Sequence, residues 1–250
     1  AEPIERSGIE GIEPALGSEA RCGYFTEDWA HYGDPRRLCE GLLDYLRKAG
    51  VKIVGETAEG FELGNDVSPS LVNTKNGRIA FDHLVIAAGA WSHKLSKQLG
   101  DPFPLETERG YNTTLPVPGI DVQRMITFAE DHFVMTPMNM GLRIGGAVEY
   151  AGLNAPPNYA RSKALIKLAR DYLPDLQTEG GTEWMGHRPS TPDSLPVIDR
   201  SSHHRKVYYA FGHGHLGLTG SATTGRIIAS LVKGCNSEVD LTPFRVNRFR

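Results

Sequence analysis

Cysteine is scarce in this chain. Cys22, Cys39 and Cys235 are three in 250 residues, an odd set with no CxxC pair, which excludes a disulfide framework and favours a reducing compartment. Long apolar runs are missing too: stretches such as 84–91, LVIAAGAW, fall far short of the about 20 residues that a membrane helix needs. No charge of one sign dominates, since 27 Lys and Arg stand against 30 Asp and Glu for a net charge of −3, so the chain is no nucleic-acid polycation. The opening residues AEPIERSGIEG lack the basic flank and apolar core of a signal peptide. A glycine-flanked serine elbow, a P-loop and an HExxH helix are all absent, which removes the usual support for hydrolase and nucleotide triphosphatase readings. What remains is ordinary globular usage, 40% hydrophobic and 23% charged, with a high glycine count of 28. The length allows one or two domains with a sizeable core.

Periodicity supplies the elements. Asp34-Pro35 followed by RRLCEGLLDYLRKAG reads as a capped helix start, an apolar stripe of Leu38, Leu42, Tyr45 and Leu46, and a stop at Gly50. Residues 51–54 and 77–81 alternate like strands, and the unbroken apolar run 83–88 reads as a strand covered on both faces, leading through Gly89 into a helix over 91–99. From 103 to 149 proline-punctuated alternation predicts a largely antiparallel sheet. Its clearest hairpin turn is Met138-Asn139-Met140-Gly141, which places Asn and Gly where a positive φ is needed. A second amphipathic helix follows over 159–172, and the chain ends in a strand at 206–211, a glycine loop at 212–217, a helix at 219–233 and an irregular tail. Sheet texture in the middle and helix–strand texture on both flanks predict two lobes between which the chain crosses more than once.

The loop Gly212-His213-Gly214-His215-Leu216-Gly217 spells G-x-G-x-x-G between strand and helix. A dinucleotide fingerprint also needs a second parallel strand ending near an acidic residue, and 235–250 offers none. The same loop suits a different ligand: its glycines let backbone approach a flat ring, and the free amides of the following helix favour an anion such as a reduced flavin. An ordinary strand-to-helix turn is the alternative. His213 and His215, with His203 and His204 nearby, lack an identifiable third ligand for zinc, so no metal is expected. In 184–193, WMGHRPSTPD, prolines stiffen a turn that presents Arg188. A guanidinium held there can clamp a carboxylate through two parallel bonds, or pair structurally with Asp193. The small-residue turn Ala88-Gly89-Ala90 either accepts a bulky ligand against backbone or serves close helix–strand packing.

Taken in order, these segments resemble the FAD-dependent D-amino-acid oxidase and dehydrogenase family, which includes the glycine and sarcosine oxidases. The resemblance runs almost end to end: Glu10-Gly11-Ile12-Glu13-Pro14-Ala15-Leu16, Gly33-Asp34-Pro35, Ala87-Ala88-Gly89-Ala90-Trp91-Ser92, Arg109-Gly110-Tyr111, the segment 186–196 and the loop 212–217. It implies an α/β (α+β) fold: a partial FAD-binding lobe (34–100 and 186–235), a mixed or antiparallel substrate-binding sheet with flanking helices (1–33 and 101–185), and a tail (236–250). It further implies oxidative deamination, with hydride passing from Cα to flavin and the imine hydrolysing to a 2-oxo acid and ammonia. By resemblance Arg188 anchors the substrate carboxylate, with His213 beside it as a catalytic candidate. Tyr111 and Phe133 line the substrate side, and Ala88, Gly89, Trp91, His213, Gly214, Leu216, Gly217 and Leu218 face the cofactor. Ser194 and Asp199 stand where the family usually has glycine. The opening strand–turn–helix with the pyrophosphate-binding glycines is not found here, so the chain reads as a C-terminal portion with an incomplete FAD site, inactive in isolation. Partners expected are an amino-acid substrate and another chain supplying the lacking segment, or self-association, without nucleic acid; the expected compartment is the cytoplasm or the periphery of the inner membrane. The alternatives are a noncatalytic carboxylate-binding or subunit-assembly module, and a secondary-amine oxidase.

Overall fold

A computed structural model describes residues 1–63 and 69–250. Its elements run β1 (Glu2–Glu5), α1 (Arg6–Ile12), β2 (Cys22–Phe25), α2 (Pro35–Lys48), β3 (Ala58–Leu63), β4 (Pro69–Thr74), β5 (Gly77–Ala80) and β6 (Leu84–Ile86). They continue as α3 (Ser92–Gln98), β7 (Glu106–Leu115), β8 (Ile126–Phe128), β9 (Phe133–Met138), β10 (Gly141–Tyr150) and α4 (Ala160–Tyr172). The last are β11 (Thr182–Ser190), β12 (Val197–Arg200), β13 (Val207–Phe211) and α5 (Gly217–Val232). This is the mixed α/β architecture expected. The chain divides into two units, Ala1–Ile53 with Gly110–Glu149 and Pro156–Gly186, and Val54–Arg109 with Tyr150–Ala155 and His187–Arg250.

In the first unit an antiparallel pair, β1 and β2, accompanies strands of a five-stranded sheet ordered β11-β7-β10-β9-β8. β8, β9 and β10 are successive antiparallel neighbours, as alternation in this region predicts. The β9–β10 turn works because Gly141 adopts φ +121; a Cβ there would lie 2.0 Å from the Leu115 carbonyl oxygen. Asn139 does not take a positive φ, since the glycine absorbs the whole reversal. The core of this unit packs Leu115, Phe133, Met135, Leu142 and Ile144 against Leu165, Ala169 and Leu173 of and after α4. α2 begins as its sequence dictates, with Asp34 accepting from the Arg36 and Arg37 amides. Its apolar stripe does not find a core, however: Leu42, Tyr45 and Leu46 are exposed.

The second unit holds two three-stranded sheets, β12-β13-β6 and the antiparallel meander β3-β4-β5. β13 pairs antiparallel with β12 and parallel with β6. Phe103, Leu105, Val197, Val207, Tyr209 and Phe211 form one core, while Ile198 and Tyr208 pack with Ile227 and Ile228 of α5 on the other face. Asp101, wholly buried, accepts from the Ser201 hydroxyl at 2.6 Å, the Ser202 amide at 3.1 Å and the Tyr209 hydroxyl at 2.9 Å. Burial, the leading cause, pushes the Tyr209 phenol well up.

Three expectations are corrected. Residues 51–54 join no strand among the described residues, because an alternating segment without a neighbour to bond has no ladder to enter. The run 83–88 contributes only β6, an edge strand whose Ile86 is buried while Val85 is exposed, so one face is uncovered. The final helix starts at Gly217, not Thr219, after a 3-10 turn over Gly214–Leu216.

Candidate functional site

A cleft of about 530 Å³ opens in the second unit, lined by Pro104, Glu106, Glu108 and Tyr150 on one side and by Ser190–Pro192, Ser194 and residues 212–216 on the other. Period-two alternation on β7 puts Glu106 and Glu108 on one face, and both reach the cleft. Glu108 is the hub. Its Oε1 accepts from Arg188 Nη1 at 3.3 Å and lies 2.6 Å from His215 Nε2; its Oε2 accepts from the Ser190 hydroxyl at 3.1 Å and, more weakly, from the Tyr150 hydroxyl at 3.4 Å. An ionised carboxylate only accepts, so His215 donates from Nε2, and in the neutral imidazole Nδ1 is then the bare nitrogen.

The turn between β11 and β12 is stapled from within. Thr191 Oγ1 donates to the Leu195 carbonyl, the Leu195 amide donates to Asp193, and Ser194 takes φ +61, the left-handed conformation that glycine adopts without strain. Asp193 pairs with Arg248 at 2.7 Å and not with Arg188; that hydrogen bond is the main reason its carboxyl falls to about 2. The Arg248 guanidinium also lies over the Phe103 and Phe249 rings at 4.8 and 5.0 Å. Asp199 accepts from the Val246 amide at 3.0 Å, and burial raises its pKa. Two acids thus fasten the C-terminal tail.

The glycine loop crosses from β13 to α5. Gly212 takes φ +82, where a Cβ would meet the Thr191 methyl at 2.7 Å, and Gly214 takes φ +52 with open space around the Cβ position. No side chain caps the start of the 16-residue α5 and no acid occupies its first turn, so its positive end is not neutralised from within and favours a ring's polar, electron-rich edge. Those features fit a flavin ring. His213 Nε2 lies 2.9 Å from Thr224 Oγ1 of α5, and burial lowers its pKa. His187, at 2.7 Å from Thr107 Oγ1 and edge-on to Trp91, is likewise held towards neutrality, first by burial and then by Arg109.

Of the residues singled out from sequence, His213, Gly214 and Leu216 line the cleft, and Arg188 joins its wall through Glu108. Ala88, Gly89, Trp91, Gly217 and Leu218 lie in the same unit without lining it. Tyr111 and Phe133 belong to the other unit. There Tyr111 donates to Glu149 at 2.5 Å and accepts from the Asn158 amide. Phe133 is wholly enclosed, stacked on Phe128 at 4.4 Å, so its ring is core. Arg109, fully buried, holds the loop after β10 by donating to the Gly152 and Ala155 carbonyls. Sequence reasoning missed Glu108, Ser190 and Tyr150, and weighed His215 only as a metal ligand. The available signal was the alternation of Glu106 and Glu108 just before Arg109.

The second unit is thus α/β, with a glycine turn running into an uncapped helix beside a carboxylate that is bonded by a guanidinium and an imidazole. Comparison with known proteins makes this specific: residues 1–231 match the model of the DAO family, described as FAD dependent oxidoreductase, and the chain belongs to that family. It is 39% identical over 241 residues to a D-amino-acid oxidase of Bradyrhizobium diazoefficiens, covering 95% of this chain and 57% of that protein. It is 32% identical over 244 residues to a D-amino acid dehydrogenase of Paramagnetospirillum magneticum, with the same two shares. The fold matches glycine oxidase from Geobacillus kaustophilus with a TM-score of 0.85 at 22% identity, over 99% of this chain and 66% of that one. The chain therefore spans under two thirds of the length of these relatives. No helix among the described residues is long and apolar enough to cross a membrane.

Proposed function

We propose that this chain carries the amino-acid site and one wall of the flavin site of an FAD-dependent oxidoreductase acting on D-amino acids. The observation that carries the reading is Arg188 bonded to Glu108, a residue that lines the cleft, and bonded from Nη1 alone among the described residues. Its Nε–Nη2 edge is the edge that binds a carboxylate bidentately. Bound flavin supplies the two-electron acceptor chemistry. The chain adds positioning: Arg188 fixes the substrate carboxylate, and Ala88, Gly89, Trp91, His213, Gly214, Leu216, Gly217 and Leu218 face the cofactor. The amides opening α5 favour negative charge at its ring. The amino acid becomes an imine, which water converts to a 2-oxo acid and ammonia.

The test adds FAD to the chain and follows the visible band anaerobically. A yellow protein bleached by D-alanine supports the reading, and bleaching by N-methylglycine alone makes it a secondary-amine oxidase. A protein that stays colourless yet binds propionate is a carboxylate-binding module. Removing the charge-assisted contact in Arg188→Gln costs about 1.5–3 kcal/mol, so kcat/KM for D-alanine falls roughly 10- to 150-fold, mostly through KM.

A further inference from the structure

The amine of an amino acid reaches a site near neutral pH as an ammonium, and Cα cannot surrender hydride until that nitrogen has a lone pair to form the C=N bond. A group must take the proton. We propose that His215 is the base that takes it and that Glu108 is its positioning residue, an inference that rests on Arg188 holding the substrate carboxylate. Arg188 and His215 converge on the same oxygen, Glu108 Oε1, at 3.3 and 2.6 Å. An α-amino group lies only two bonds from the carboxylate carbon, so a ligand clamped by Arg188 has its nitrogen in the neighbourhood of the imidazole. Glu108 is nearly buried, with its side chain 11% exposed, whereas the His215 side chain is 59% exposed and lines the cleft. That is the division of labour of a carboxylate–histidine pair. The enclosed acid accepts from Nε2, which in the neutral imidazole selects the tautomer with Nδ1 bare, and stabilises the imidazolium once it forms.

Ser190 and Tyr150 contribute by donating to Oε2, which holds the carboxylate plane while Oε1 serves His215. The other titratable groups on this cleft are Glu106, whose Oε1 accepts from the Thr107 amide, and His213, tied to Thr224. Neither of these two is bonded to the imidazole of His215. In the proposed step one N–H bond of the ammonium breaks and one N–H bond forms at Nδ1. The electron pair stays on the amine, and no oxidant is required.

The experiment reads the imidazole directly. Nitrogen NMR of the histidine-labelled full chain is recorded during titration with D-alanine and, separately, with propionate, which offers the same carboxylate without an amine. Expected are a bare Nδ1 in the free protein, protonation of Nδ1 on adding D-alanine, and no protonation with propionate. Glu108→Gln abolishes the D-alanine-induced protonation, and Glu108→Asp restores part of it. His215→Phe, at an exposed position, weakens D-alanine relative to propionate by about tenfold or more, the loss of a hydrogen bond to a charged group. Binding of both ligands with an unchanged imidazole overturns this proposal and leaves the Arg188 reading standing. Failure of both ligands to bind overturns the Arg188 reading and this one with it.

Discussion

Asp193 shows how one side chain can fasten the end of a chain. Its carboxylate bonds Arg248 through both oxygens and its pKa sits at about 2. An acid depressed in the fold stabilises the native state above its unfolded value near 4, and that contribution disappears as pH falls through the folded value. The pair is partly open to solvent, which screens it, so Asp193→Asn costs only about 1 kcal/mol at neutral pH. Thermal unfolding from pH 7 down to pH 2 should show the native protein and the variant converging at the acid end. His187 and His213 act in the same direction at higher pH. Both are held neutral in the fold, so their share of stability is present above the ordinary histidine value and fades as pH drops below it.

At the level of the element, two glycines make opposite predictions. Gly141 closes the β9–β10 hairpin at φ +121 with the Leu115 carbonyl at 2.0 Å from a Cβ position, so Gly141→Ala must both strain and displace backbone. A loss of at least about 2 kcal/mol is expected. Gly41 lies within α2 with nothing near its Cβ position, and Gly41→Ala should stabilise by about 0.5–1 kcal/mol through the lower entropy of the unfolded chain. Calorimetry of the two variants separates a glycine required by geometry from one that is merely tolerated. The loop into α5 is of the first kind at Gly212, where Thr191 leaves no room.

For the molecule as a whole, the unburied stripe of α2 is the feature that solution behaviour will reveal. Leu42 is 56% exposed and Tyr45 69%, and Val51 and Ile53 just beyond the helix are also exposed. Exposed apolar side chains grouped along a helix associate when nothing covers them. Sedimentation at rising concentration should show growing mass for the native chain and a constant monomer for Leu42→Glu combined with Tyr45→Glu. Constant monomer mass in the native chain would refute association through this face.

Local rules settled a definite share of this protein. A cap, a proline and a stripe specify α2; a glycine specifies the β9–β10 reversal; a β-rich run, glycines and an apolar period specify β13, the loop and α5. These are short-range effects, legible from a dozen residues at a time. Whether a stripe or a strand face is covered depends on what packs there, and for α2 and β6 the sequence pattern alone misleads. The site lies beyond local rules altogether. Glu108 meets Arg188 across 80 residues and His215 across 107, a convergence that only folding could create, because no periodicity records which distant charges will share one carboxylate.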